Sequence, residues 1–398
     1  LTAPNTMRPL DGVTVVTLEH AIAAPFCTRQ LADLGARVIK IERPGTGDFA
    51  RGYDTRVRGL ASHFVWTNRS KESVTLDVKH AKAREILAKL IARADVLVQN
   101  LAPGAATRLG LSYETLAADH PRLIVCDVSG YGASGPYRDK KAYDLLIQSE
   151  SGFLSITGTP QSPSKAGNSI ADISAGMYAY SSILAALLQR GRTGRGTRID
   201  VSLLETMVEW MSYPLYYAFE GAPAPPRTAA SHATIYPYGP FRAGDEKLVM
   251  LGLQNEREWA LFCERVLRRP EIAADERFAS NARRVAARAE VDAIVDETFS
   301  RLTAQEVVQR LELAGIANAR INEMHEVWAH PQLAARERWT QVDTPAGQVP
   351  ALFPPALPDS VQPRMGPVPG LGEHTDSVLG ELGYSAETIA SLRAEQAI

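Results

Sequence analysis

Cysteine is scarce in this sequence. Only Cys27, Cys126 and Cys263 occur in 398 residues, and they lie far apart. An odd, dispersed set excludes a disulfide framework and a cysteine-type zinc site, and predicts three reduced, buried thiols. Charge of one sign is lacking too: 43 basic residues face 45 acidic ones, for a net charge of -2. So even a balance provides no global field for nucleic acid, and any anionic ligand must be held by local groups. The eight histidines, among them His20, His63, His120, His325 and His374, are scattered without His-Glu-x-x-His spacing, so no metal site is expected. The apolar stretches are too short or too broken to span a bilayer. The first residues lack the basic start and apolar run of a signal peptide, Met7 reads as the natural start, and a cytoplasmic protein is expected.

What is present is ordinary globular material, 45% hydrophobic and 22% charged, enough for two domains or three. The fold class predicted is α/β. Gly12 to Leu18 reads as a buried strand, Ala24 to Leu34 as a helix and Arg37 to Glu42 as a second strand, making a βαβ unit. A helix over 81–93, a strand over 95–100, a short helix over 113–118 and a strand over 123–128 extend this into a parallel sheet. Gly176 to Arg190 reads as a buried helix of small residues, 198–202 as a strand and 203–219 as one long helix. From about 233 to 325 the pattern suggests a smaller α+β domain. Pro350 to Pro369 is proline-dense and is expected to run over the surface, followed by helices over 375–382 and 386–395.

In an open α/β sheet, ligands bind beyond the carboxyl ends of the strands. The loops there carry Glu19-His20-Ala21-Ile22-Ala23, Arg43 to Asp48, and Asn100 to Gly104 with Arg108 one turn on. Their backbone N–H groups and polar side chains suit a ligand with phosphates and a purine. The dinucleotide fingerprint Gly-x-Gly-x-x-Gly is missing after the first strand, which argues against a nucleotide-linked oxidoreductase. Gly191 to Gly196 is glycine-rich and basic without a Walker ending; a structural turn is the main reading, phosphate contact the other. Asp172 stands before the small-residue helix, as an N-terminal cap or as a carboxylate nucleophile kept ionised by the helix dipole.

Several runs resemble family III CoA-transferases, the group that includes formyl-CoA:oxalate and carnitine CoA-transferases. They are Pro9 to Val13, Leu31 to Glu42, Asn68 to Ser73 with Leu76-Asp77, Asn100 to Gly104, Asp172 to Met177, Leu184 to Leu187, Thr193 to Gly196, Gly372 to Thr375 and Leu382 to Tyr384. The resemblance implies a large Rossmann-like domain built from both chain ends (7–205 and the return over 326–398), a linker over 206–232, a small inserted α+β domain over 233–325, and an interlocked homodimer. It makes Asp172 the catalytic nucleophile. It makes Ala21, Ile22, Ala23, Arg43, Leu76, Lys79, Asn100, Leu101, Arg108, Lys141 and Tyr143 the coenzyme A contacts. His232, Tyr236, Tyr238 and Gln254 become candidates for the acceptor acid. The implied partners are an acyl-CoA and a small carboxylic acid, with coenzyme A as substrate, no permanently bound cofactor, no nucleic acid and no membrane. Succinyl-CoA as donor and a C4–C5 dicarboxylate as acceptor rest on general resemblance alone.

The related α-methylacyl-CoA racemases carry a His-Asp pair where this chain has Tyr143-Asp144, and a glutamate near Gln254. Tyrosine and glutamine are poor proton shuttles at neutral pH, which favours transfer over racemisation; Glu256 is the nearest acidic neighbour. A CoA-binding protein without catalysis would keep the Arg43 and Lys79 cluster without needing Asp172.

Overall fold

The computed structural model describes residues 7–398 and divides them into two compact units. The larger comprises residues 7–151, 167–211 and 332–398; the smaller comprises 152–166 and 212–331. The 152–166 excursion belongs to the smaller unit, although the sequence reading left it inside the large domain.

The larger unit is built on six parallel strands: β1 (Thr14–Leu18), β2 (Arg37–Glu42), β3 (Lys71–Thr75), β4 (Val96–Gln99), β5 (Ile124–Ser129) and β6 (Arg198–Ser202), in the order β3-β2-β1-β4-β5-β6. Val15, Val16, Val96, Leu97 and Val98 are fully buried, as expected for strands covered on both faces. One face packs against the Ala81–Ile91, Thr375–Glu381 and Ala386–Ala394 helices, with Ile86, Leu90, Val378, Leu379 and Leu392 in the shared core. The helices Ala23–Asp33 and Ile170–Thr193 pack against each other. The strand order reverses between β1 and β4, which defines the crevice where open sheets take ligands.

Three elements differ from the sequence expectation. β3 was not foreseen, because Lys71-Glu72-Ser73 reads as polar; Lys71 is buried and paired with Glu19. The long helix starts at Ile170, not Gly176, so Asp172 lies inside its first turn. The helix expected over 203–219 is two, Leu203–Trp210 and Ser212–Tyr217. Pro214 cannot donate to the Trp210 carbonyl one turn back, which breaks the ladder there. The glycine-rich turn is structural: Gly194 ends the long helix at φ 73, and a Cβ on Gly196 would fall 2.0 Å from the Leu123 carbonyl oxygen.

The proline-dense segment is stitched to the β3 edge. Ser70 N–H donates to Pro367 O at 2.8 Å, and Gly366 N–H to Ser70 Oγ at 2.8 Å. Among the described residues one helix, Ile170–Thr193, has the length and composition of a membrane span, but its Ala171, Ala175, Ala179 and Ile183 are fully buried within the protein.

The smaller unit has an antiparallel sheet, β7 (Tyr238–Arg242), β8 (Leu248–Gly252) and β9 (Ala317–Arg320), in sequence order. Its core gathers Trp259, Phe262, Phe278, Phe299 and Leu311.

Candidate active site

At the carboxyl end of β1 the chain is held in a shape it would not adopt unaided. Ala21 has φ 61, in the left-handed region that costs an L-residue about 1–2 kcal/mol. Asp48 Oδ1 accepts the Ala21 N–H at 2.9 Å. Asn100, from the end of β4, accepts the His20 N–H at 2.9 Å and donates to the His20 carbonyl at 2.9 Å. The two strands of the switch point are thus tied by one amide. The His20 ring stacks on Phe49, centroids 4.4 Å apart.

A buried ion network supports this loop from below. Glu19 Oε1 lies 2.7 Å from Lys71 Nζ and 3.3 Å from Lys40 Nζ, and Lys40 reaches Asp48 Oδ2 at 2.6 Å. Thr17 and Thr28 hydroxyls donate to the other Glu19 oxygen. Burial alone would raise the Glu19 carboxyl, but Lys71 and Lys40 hold it below the usual range. Burial pulls Lys71 down to about 8 against the opposing charge of Glu19. Burial would likewise raise Asp48, and Lys40 outweighs it. The sequence reading missed this network. Its signal was available in β2, where Lys40 interrupts an apolar strand, but its partners are remote in sequence.

Asp172 is half-buried in the first turn of the long helix. It is not the cap. Asp144 Oδ1, from the helix Asp144–Glu150, accepts the N–H of Ala171 at 2.8 Å and of Asp172 at 3.2 Å. The sequence leads one to expect Asp172 to stay ionised at the helix N-terminus. Burial, then the Asp144 charge, lifts its carboxyl to about 7. Further along, a Cβ on Gly176 would fall 2.7 Å from Ala23 O and 3.0 Å from Phe26, so the two helices touch there. Arg29 and Tyr180 meet beyond that point, so the helices run in parallel. Asp172 lies one turn earlier on the long helix, towards the end where the His20–Ile22 loop leads into the Ala23–Asp33 helix. The nucleophile candidate and the strained loop thus lie towards the same end of the helix pair.

Arg43, Lys79 and Arg108 follow β2, β3 and β4 at the same edge of the sheet. All three are exposed, as is Lys141, and none makes an ion pair among the described residues. Tyr143 is 72% exposed. Leu76 is 2% exposed and packs in the core, which leaves its backbone as the part open to a ligand contact. The Ile22 and Ala23 side chains are buried too, which leaves backbone groups as what that loop can offer. Leu101 is partly buried against the same core, and its N–H donates to Gln99 Oε1 at 2.8 Å.

In the smaller unit, the structure corrects Tyr236. It is buried, its hydroxyl donates to Asp292, and Arg288 lies 4.0 Å above its ring, so it is a core residue and not an acid ligand. His232 Nδ1 accepts the N–H groups of Thr234 and Ile235, and its ring stacks on Tyr238 at 5.3 Å. Gln254 is exposed. Glu256 is bound by Arg284 at 2.5 Å, which holds it below the usual carboxylate range and leaves it a poor general acid.

The larger unit thus combines an open parallel sheet, exposed cations that follow its strands and a desolvated aspartate in the first turn of the long helix. The pattern of CoA-transferase family III matches residues 10–375. The succinate–glutarate CoA-transferase of Agrobacterium fabrum is 35% identical, over 95% of this chain and 97% of that one. The succinyl-CoA:glutarate CoA-transferase of Homo sapiens is 33% identical, over 98% and 89%. A CAIB/BAIF family protein from Brucella suis, known as a crystal structure, superposes with a TM-score of 0.83 at 34% identity, over 95% of this chain and 100% of that one. The chain belongs to the family III CoA-transferases.

Proposed function

We propose that this chain moves coenzyme A from succinyl-CoA to a C4–C5 dicarboxylate through covalent intermediates on Asp172. The observation that carries the mechanism is Asp172 itself: a half-buried carboxylate in the first turn of the long helix, raised by burial and by Asp144. A carboxylate needs no base to attack, and desolvation strengthens it. An Asp172 oxygen attacks the thioester carbonyl, the C–S bond breaks, and a mixed anhydride forms with CoA thiolate. The thiolate attacks the aspartyl carbonyl, releasing the donor acid and leaving an aspartyl-CoA thioester. The acceptor carboxylate attacks that thioester, and the thiolate then attacks the acceptor's carbonyl, restoring Asp172. The thioester's energy is carried over as long as water is kept out.

The cations Arg43, Lys79, Arg108 and Lys141 are read as phosphate contacts, Ala21 to Ala23 as backbone contacts to the pantetheine arm, and Tyr143 as part of the same channel. Asn100 acts by shaping the loop, its amide being engaged with His20. The choice of acid rests on relatives named for succinate, glutarate, malate and mesaconate. Glutarate is the first acceptor to try.

The test is a transfer assay with succinyl-CoA and a panel of mono- and dicarboxylic acids, with CoA esters read by mass spectrometry. A new ester without free CoA, absent in Asp172→Ala although that variant still binds CoA, is the expected outcome. Full transfer by Asp172→Ala would sink the mechanism. Proton exchange in a 2-methylacyl-CoA in heavy water without any transfer would replace it with racemisation.

A further inference from the structure

Two carboxylates meet at the start of the long helix, and the transfer chemistry consumes only one. Asp144 Oδ1 takes two of the helix's leading N–H groups, at 2.8 and 3.2 Å, and its Oδ2 is held by Gln148 Nε2 at 2.6 Å. A helix N-terminus carries roughly half a positive charge. Here that charge is answered by an aspartate from a neighbouring helix. Asp172, the third residue of the capped helix, has no side-chain hydrogen bond or ion pair among the described residues. It is thus the carboxylate left to react.

We propose that Asp144 is the positioning residue of the Asp172 nucleophile: it pins the helical turn that carries Asp172 and opposes the Asp172 anion, so that acylation of Asp172 relieves a repulsion. The inference rests on the transfer mechanism above and deepens it. When the Asp172 oxygen bonds to the acyl carbon and the C–S bond breaks, the negative charge departs on the CoA thiolate, away from Asp144. The neutral anhydride and thioester no longer face a like charge. Asp144 therefore favours every covalent state of Asp172 over the free carboxylate, while its cap keeps the side chain in one place.

The surroundings leave this pair dominant. Burial and Asp144 are the influences that raise Asp172. Tyr53 senses Asp172, Asp48 and Tyr143, and it is neutral at physiological pH. On the Ala23–Asp33 helix, Arg29 and Asp33 pair with each other at 2.7 Å and meet Tyr180, two turns beyond Asp172. The Leu203–Trp210 helix touches the long one through Thr206 and Ser174, with Glu205 beside that contact in its first turn. Tyr143 precedes the Asp144–Glu150 helix; its side chain makes no capping bond and its ring is exposed.

Asp144→Asn separates charge from cap, since asparagine still accepts helix N–H groups. Two readouts are taken across pH 4–9 on the full chain. One is labelling of Asp172 by a water-soluble carbodiimide, which reacts with protonated carboxyls, mapped by peptide mass spectrometry. The other is kcat/KM for succinyl-CoA with glutarate. In Asp144→Asn the labelling midpoint and the acid limb of kcat/KM are expected to fall together by about one pH unit, and kcat at pH 8 by on the order of tenfold. Asp144→Ser, a neutral cap, should shift the midpoint the same way and serves if the asparagine variant folds poorly. An unchanged midpoint in a folded neutral variant overturns the inference. A lowered midpoint in a protein that transfers no CoA upholds the pairing and removes the proposed function instead.

Discussion

At the residue scale, the cost of the site can be measured. The Asp172 carboxyl sits at about 7, against an ordinary 3.8. Its folded value is raised, so the fold binds this proton more tightly than the unfolded chain. The contribution to stability is intact below about pH 4 and is lost as pH rises towards 7. Above that, the anion costs at most roughly 4 kcal/mol, at about 1.4 kcal/mol per unit. Asp172→Asn is therefore expected to abolish transfer yet raise Tm at pH 8 by a few degrees, with the gain shrinking at pH 4.5. Thermal unfolding at both pH values checks it; an equal Tm change at both would show that the buried anion carries no such cost. Asp172, Arg43 and Arg108 stand out in the sequence because each follows a recognisable strand or opens a helix, whereas Lys79 follows β3, which the sequence pattern does not reveal. Asp144 as a cap and Glu19, Lys40 and Lys71 as a network were not, because their partners lie up to 52 positions away. Tyr236 was misread because its aromatic, polar surroundings in sequence say nothing about its burial.

At the scale of elements, the contact between the Ala23–Asp33 and Ile170–Thr193 helices sets the reach of Asp172. Alanine in place of Gly176 would gain about 1 kcal/mol of helix propensity. Its Cβ, however, would meet the Ala23 carbonyl at 2.7 Å and Phe26 at 3.0 Å, backbone and ring that cannot easily yield. Gly176→Ala is expected to destabilise the chain by about 1–3 kcal/mol and to raise KM for the acyl-CoA, as the helix is pushed off the loop. Urea unfolding and steady-state kinetics read the two effects; a stabilised variant with unchanged KM would show that the helices do not register the site. The long helix was read as starting too late for a physical reason. Its first turn has no local cap side chain, since Ser169 makes no capping bond, and the capping carboxylate comes from 27 residues upstream.

At the scale of the whole molecule, large apolar side chains remain on the surface: Tyr143, Leu145, Leu146 and Trp210 in the larger unit, and Tyr213, Leu215, Tyr216 and Phe219 in the smaller. Tyr216 is 78% exposed and Phe219 65%. Runs of this kind cost solubility unless something covers them. A second copy of the chain is the proposed cover, so light scattering after size exclusion is expected to give twice the chain mass, and Tyr216→Glu with Phe219→Glu to shift it towards one. A monomer at micromolar concentration would refute the pairing.

The alternation of buried strands and helices, the parallel sheet apart from its β3 edge and most of its carboxyl-edge loops are readable in the sequence alone. Those follow from local hydrophobic period and turn residues, which act over a few positions. Tertiary structure decided which carboxylate caps the long helix, which lysines are buried, and that Ala21 takes a left-handed shape. These depend on groups from different strands meeting at one switch point, and no local pattern encodes a charge's partner.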